Sequence, residues 1–210
     1  MHRILLALPL ALLPVSHAHE GGHGPQIAEM TAAAETFLTT LDEKQEKAAS
    51  FPFGDEEREN WHFVPMDDRK GLRISTLQPA QVPLAYAFLG TGLSDEGLRT
   101  AGAIMQLEQY LAVKENNPQM RDPEKYFFSV FGQPDKHPWA WRYEGHHLSL
   151  NYTILDDKTL AYTPAFFGTN PAEIPDGPLK GSRPIGDIED AARALVSRIH
   201  ARMPEVVFTD

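Results

Sequence analysis

The sequence predicts an α+β fold. An antiparallel or mixed sheet from the middle of the chain packs with helices from its N-terminal and C-terminal parts. Three observations carry this. Apolar residues recur at helical spacing on both sides of the centre. The centre holds runs rich in aromatic and β-branched residues, bounded by Gly and Pro. Helices and strands do not alternate one for one, which argues against a doubly wound parallel sheet. The 210 residues suit a single domain, expected over 25–210.

The elements follow in order. Pro25 to Ser50 predicts a helix, with Ile27, Met30, Ala34, Phe37, Leu38 and Leu41 on one face. FPFGDE ends it. Trp61 to Val64 predicts a short strand closed by Pro65, and Leu72 to Leu77 a second one. The DDRK between them reads as a solvated loop. Gln78 to Gly92 predicts a helix with Pro79 and Pro83 near its first turn. Ser94 is a natural N-cap, followed by Asp95 and Glu96, for a helix to about Asn116. Glu108 lies on that helix and reads as a surface carboxylate. YFFSVF, Trp139 to Leu155 and Leu160 to Phe167 predict strands, the second long and bent. Asp187 to Arg202 predicts a closing helix, with Ile188, Ala191, Ala192, Leu195, Val196 and Ile199 on its apolar side.

Composition excludes several functions. A net charge of −10 lacks the basic face that nucleic acid or anionic lipid needs. No cysteine is present, so disulfides, thiol nucleophiles and thiolate metal sites are excluded together. MHRILLALPLALLPVSHA combines a basic start, a short apolar run and small residues Ser16 and Ala18 at cleavage spacing. Residues 1–18 therefore read as a secretory signal peptide, and the expected location is periplasmic or extracellular. No segment is long and apolar enough for stable membrane insertion. Cleavage after Ala18 would leave a flexible His/Gly N-terminus over 19–24. His19 and His23 there form one candidate copper site, through the free amine and the imidazoles; a plain spacer is the alternative reading.

The densest chemistry lies in HPWAWRYEGHHLSLNYT. In a regular strand Arg142, Glu144 and His146 share one face with Leu148 and Leu150. Trp139, Trp141, Tyr143, His147, Ser149 and Asn151 share the other. Glu144 and His146 then stand side by side, with His147 and Asn151 as the rival pair. Gly145 signals a bulge or a close backbone approach, and a bulge would bring both imidazoles to one side. Imidazole is the side chain that ligates metals and moves protons near neutral pH. The expected catalytic set is Glu144, His146, His147, Arg142 and Asn151, and the expected metal set is His146, His147 and Glu144. The expected ligand-binding set is Trp61, Arg121, Asp122, Trp139, Trp141 and Asn170. The expected cofactor is a divalent metal, copper or zinc. The stretch carries no HExxH, GxSxG or P-loop spacing.

RENWHFVP, RDPEKYFFSVFG, HPWAWRYEGHHLSLN and TPAFFGTNPAEI, in that order, resemble one family. It is the group of exported bacterial and fungal proteins known as domain of unknown function 3500. The resemblance runs from about Glu59 to Met203, and EGHHLSLN and FFGTNPAEI are its most specific parts. It implies no activity. It singles out Asn60, Trp61, Arg121, Asp122, Trp139, Trp141, Arg142, Glu144, His146, His147, Asn151, Pro164, Phe167, Gly168 and Asn170. Longer members continue past the final helix, so this chain looks like a short member, and a protein partner is expected if its site is incomplete.

Two functions from different classes compete on these residues. One is a metal-dependent hydrolase or oxidoreductase acting on a small polar or anionic substrate, with Arg142 or Arg121 holding the anionic group. The other is a non-catalytic periplasmic protein that binds a metal ion or a small ligand. A buried polar network of purely structural value is the third reading.

Overall fold

The aromatic-rich centre of the chain becomes a sheet, and the amphipathic segments before it become the layer on one side. The computed structural model describes residues 23–203. The expected signal peptide and His19 lie outside the described residues.

Helix α1 (Gly24–Leu38) buries Ile27, Met30, Ala34 and Phe37, a stripe at helical spacing. The single helix expected over Pro25 to Ser50 is two helices. Thr39 and Thr40 turn their hydroxyls back onto Thr36 and Phe37 carbonyls, which closes α1. Asp42 then starts α2 (Glu43–Ala49) with a capping box, its side chain accepting from Gln45 N while Gln45 accepts from Asp42 N. Helix α3 (Val82–Thr91) has Pro83 in its first turn, where the missing N–H costs nothing. Helix α4 (Asp95–Lys114) begins as expected, with Ser94 Oγ accepting from Gly97 N at 3.1 Å.

The sheet has seven strands and mixed direction. Its middle is the antiparallel run of β3 (Phe127–Gln133), β4 (Lys136–Gly145) and β5 (Leu148–Ile154). Along the outer edge of β3 lie β1 (Ser50–Phe51), parallel, and β2 (Leu72–Arg73), antiparallel. Along the outer edge of β5 lie β6 (Leu160–Ala161) and β7 (Ala165–Phe167). Three of the shorter expected strands change. Trp61 to Val64 forms no strand. Leu72 to Leu77 gives only β2 and a 3-10 turn over Ile74–Thr76. Leu160 to Phe167 is interrupted between β6 and β7 at Tyr162 to Pro164.

The two faces of the sheet differ. One presents Phe128, Val130, Trp139, Trp141, Tyr143, Leu150 and Tyr152, all buried against helices α1, α3 and α4. Phe37, Phe88, Phe128 and Trp141 form a chain of ring contacts there, and Trp141 Nε1 donates to Met30 Sδ at 3.0 Å. Each such side chain contributes about 1.5–3 kcal/mol through burial, so this face carries the core. The opposite face presents Ser129, Arg142, Glu144, Ser149 and Asn151. Residues 55–69 cross over that polar face as an irregular strap. The C-terminal helix α5 (Gly186–His200) forms as expected, but no described residue covers its expected apolar side, with Ile188 65% and Leu195 59% exposed.

Candidate functional site

The expected long strand over Trp139 to Leu155 is a hairpin. Register runs without a break from Trp139↔Ile154 to Gly145↔Leu148, and His146 and His147 form the turn. Gly145 is therefore a close approach and not a bulge: a Cβ there would lie 2.3 Å from Tyr126 Cδ1. The turn restarts the alternation. Ser149 and Asn151 fall on the Arg142–Glu144 face, and Leu148 and Leu150 fall on the core face, the reverse of what one continuous strand would give.

Glu144 and His146 consequently separate. Glu144 lies under the strap, its side chain 2% exposed, in a chain of four charges. Arg69 Nη1 is 2.8 Å from Glu144 Oε1, and Arg142 Nε is 3.3 Å from the same oxygen, too poorly aligned for a hydrogen bond. Arg142 also holds Glu57, through its side chain and through its carbonyl at 2.8 Å. Two cations balance two anions, so the network is neutral. Arg69 corrects the reading of DDRK as solvated: its guanidinium is 3% exposed and also donates to the carbonyls of His62 and Val64. Glu144 Oε2 accepts from His62 N at 3.0 Å and Ser149 Oγ at 3.1 Å. The network thus pins the strap to the sheet.

A cleft of about 260 Å³ opens beside this network. Trp61, Arg58, Arg142, Asn151 and Pro164 are among its walls. Asn151 Nδ2 donates to Ser149 Oγ and Pro164 O. The indoles of Trp139 and Trp141 pack in the core, at 0% and 1% exposure, and Trp141 also contributes to the wall of the cleft. Asp122 pairs with Arg73 and accepts from Glu124 N. Asn170 is exposed on the loop after β7, and His23 is exposed at the start of α1.

The imidazoles come together at the turn. His146 and His147 stack with centroids 3.9 Å apart. His147 has φ 60, a left-handed backbone that glycine adopts freely and a histidine does not. Both of its peptide groups are clamped: its N–H donates to Phe63 O and its C=O accepts from Gly168 N, each at 2.8 Å. Tyr126 OH donates to His146 O at 2.7 Å. Burial lifts the Tyr126 phenol well above its ordinary range, which keeps it a donor.

Glu108 is the residue that sequence reasoning placed wrongly. It is 2% exposed, and its Oε1 lies 2.5 Å from His146 Nδ1. An ionised carboxylate can only accept, so Nδ1 carries the hydrogen, and in the neutral ring Nε2 is then the acceptor. Arg121 Nη1 lies 3.0 Å from Nδ1 and 3.3 Å from Nε2. In the ring plane such a position would overlap Cε1, so the guanidinium nitrogen sits over the ring face. Glu115 holds that guanidinium in a fork, at 2.7 and 3.0 Å. His147 is pushed down to about 4, first by burial and then by the positive charge of the His146 ring in its protonated form and of Arg121. It is neutral near pH 7. Among the described residues no three His, Asp or Glu side chains are arranged to hold a metal ion.

An aromatic run joins the turn to the cleft. Phe63 stacks on Phe166 at 4.1 Å and contacts Trp61 at 6.4 Å between centroids. Phe63 is 36% exposed. The sequence signals for the whole site were EGHH and the RENWHF strap segment; nothing local marked Glu108, Glu57 or Arg69 as their partners.

The family model described as "Protein of unknown function (DUF3500)" matches residues 23–208. No curated protein and no solved structure matches the chain.

Proposed function

We propose that this chain, which belongs to the DUF3500 family, is an exported acid–base enzyme of the hydrolase class. Its working groups would be the imidazoles at the β4–β5 turn. One observation carries the reading: a histidine is held in a left-handed conformation and stacked on a second histidine that a buried carboxylate orients. The left-handed backbone costs folding free energy, and the arrangement adds no apolar packing in return.

His146 is the proton carrier in this reading. Glu108 is a positioning residue that fixes the tautomer and aim of the ring. Nε2 takes a proton from water as the oxygen bonds to a substrate acyl centre, then returns it to the leaving group. Arg121 stands where negative charge on the substrate oxygen is stabilised. His147, neutral, accepts a hydrogen bond from the substrate. Trp61, Phe63 and Phe166 offer a wall for a planar or apolar part of a small substrate. Export is supported by the leader read in residues 1–18. A copper or zinc ion remains the alternative cofactor, since a neutral imidazole is the form a metal ligand needs. A non-catalytic ligand-binding protein is the alternative of the other class.

The test is turnover of chromogenic esters, amides and phosphate esters after chelation. Wild type is compared with His146→Ala, with circular dichroism as the control for folding. Turnover that survives chelation and is lost in the variant supports the reading. Turnover that appears only on adding copper or zinc supports the metalloenzyme. Saturable binding of the same compounds without conversion supports the binding protein.

A further inference from the structure

We infer that α5 is a self-association surface, on which a second copy of this chain docks antiparallel with two-fold symmetry. Every residue of α5 after Gly186 is exposed except Glu189 and Ile199, which are half-buried. Ile188, Leu195 and Val196 are 65%, 59% and 42% exposed. A 15-residue helix without a packing partner among the described residues is marginal in water, so a covering surface would account for its stability.

The pattern of the stripe identifies the occupant. Ile188, Ala192, Leu195 and Ile199 recur at alternating spacings of four and three, the seam of a paired helix. Read backwards, the same stripe is Ile, Leu, Ala, Ile. An antiparallel copy therefore sets Ile188 against Ile199 at each end. It sets Ala192 against Leu195 in the middle, so that large meets small and the seam interdigitates. A parallel copy would set Leu195 against Leu195 and leave a gap at Ala192.

The charges agree. Asp187, Glu189 and Asp190 occupy the first half of α5, while Arg193 and Arg198 occupy the second half, with Arg202 just beyond. Arg183 already holds Glu189 and Asp190 within the chain. Of the rest, Asp187 and Arg198 lie eleven positions apart along the helix and on the same flank of the stripe, whereas Arg193 points away from it. An antiparallel copy brings Asp187 of each helix within a turn of Arg198 of the other. A parallel copy places like charges together. The helix dipole also favours acids first and bases last, but only within the terminal turns, and Arg193 lies in mid-helix.

One helix stripe covers roughly half of the ~800 Å² per partner of a standard stable interface. The dimer is accordingly weak and concentration-dependent, on the order of micromolar or weaker. The test is sedimentation velocity of the exported chain between about 1 and 500 μM, for wild type, Leu195→Asp, Asp187→Lys and Asp187→Lys/Arg198→Glu. The account expects a reversible dimer in wild type. Leu195→Asp should weaken it at least tenfold, as should Asp187→Lys, with recovery in the double variant. The exposed positions leave the fold intact, which circular dichroism checks. A wild type that stays monomeric throughout overturns the inference and points to a different cover for α5. So does a dimer indifferent to Leu195→Asp, or a charge swap that fails to restore association.

Discussion

Replacing His147 with glycine should make the protein more stable than replacing it with alanine, although alanine keeps more side chain. At φ 60 an L-residue costs about 1–2 kcal/mol that glycine does not. Glycine returns about 0.4–1 kcal/mol of that through the greater freedom of its unfolded chain. Both variants lose the contact with the His146 ring, so that loss cancels in their comparison. From the centres of those ranges the difference left is about 0.8 kcal/mol in favour of glycine, a melting shift of about 2–3 °C for a chain of this size. Urea unfolding of wild type, His147→Gly and His147→Ala, followed by far-UV circular dichroism, measures it. Glycine equal to or below alanine would refute the claim that the turn backbone is held in a conformation histidine resists. Turnover supplies the second half of the reasoning: both variants should be inactive, so His147→Gly should gain stability over alanine without gaining function.

Other predictions follow from the same contacts. The His147 value of about 4 lies below the ordinary 6.5, so between those values the unfolded chain binds a proton that the folded chain refuses. Its contribution is therefore intact above about pH 6.5 and is lost as pH falls towards 4, and His147→Gly should show a shallower decline in stability over that window. Glu144→Ala leaves Arg69 and Arg142 buried without their shared anion and should cost about 3–5 kcal/mol, read by thermal unfolding, whereas Glu144→Leu with Arg69→Met should cost less than the single change. Glu108→Gln retains an acceptor for His146 Nδ1 but removes the charge, and should lower turnover by about 10²–10⁴-fold with little change in substrate affinity.

The regular elements were legible because their causes are local. Ser94 with two acids after it starts α4 where expected, and YFFSVF gives β3. The Asp42–Gln45 capping box was equally local, but a continuous apolar stripe through Leu41 masked it. The hairpin was not legible. Tight two-residue turns usually declare themselves by Asn-Gly or Gly at the positive-φ position, and here a histidine occupies it. The face of every residue after the turn was reversed for that single reason. The partners were hidden by distance along the chain: Glu108 is 38 positions from His146, and His62, whose backbone N–H donates to Glu144, is 82 positions from Glu144. Side-chain pairing across such separations rescues a carboxylate from the surface that its residue type alone predicts. The stripe of α5 was read correctly as apolar, and only the fold shows that nothing in this chain's described residues covers it.

Nitrogen-15 NMR of the imidazoles across pH 3 to 8 tests the central claim most directly, because it reads where the protons of the turn lie without needing a substrate. The account predicts His147 neutral down to about pH 4, and a neutral form of His146 with its hydrogen on Nδ1 facing Glu108. A His147 that titrates near 6.5, with a neutral His146 carrying its hydrogen on Nε2, would contradict it and remove the turn as a site of proton transfer.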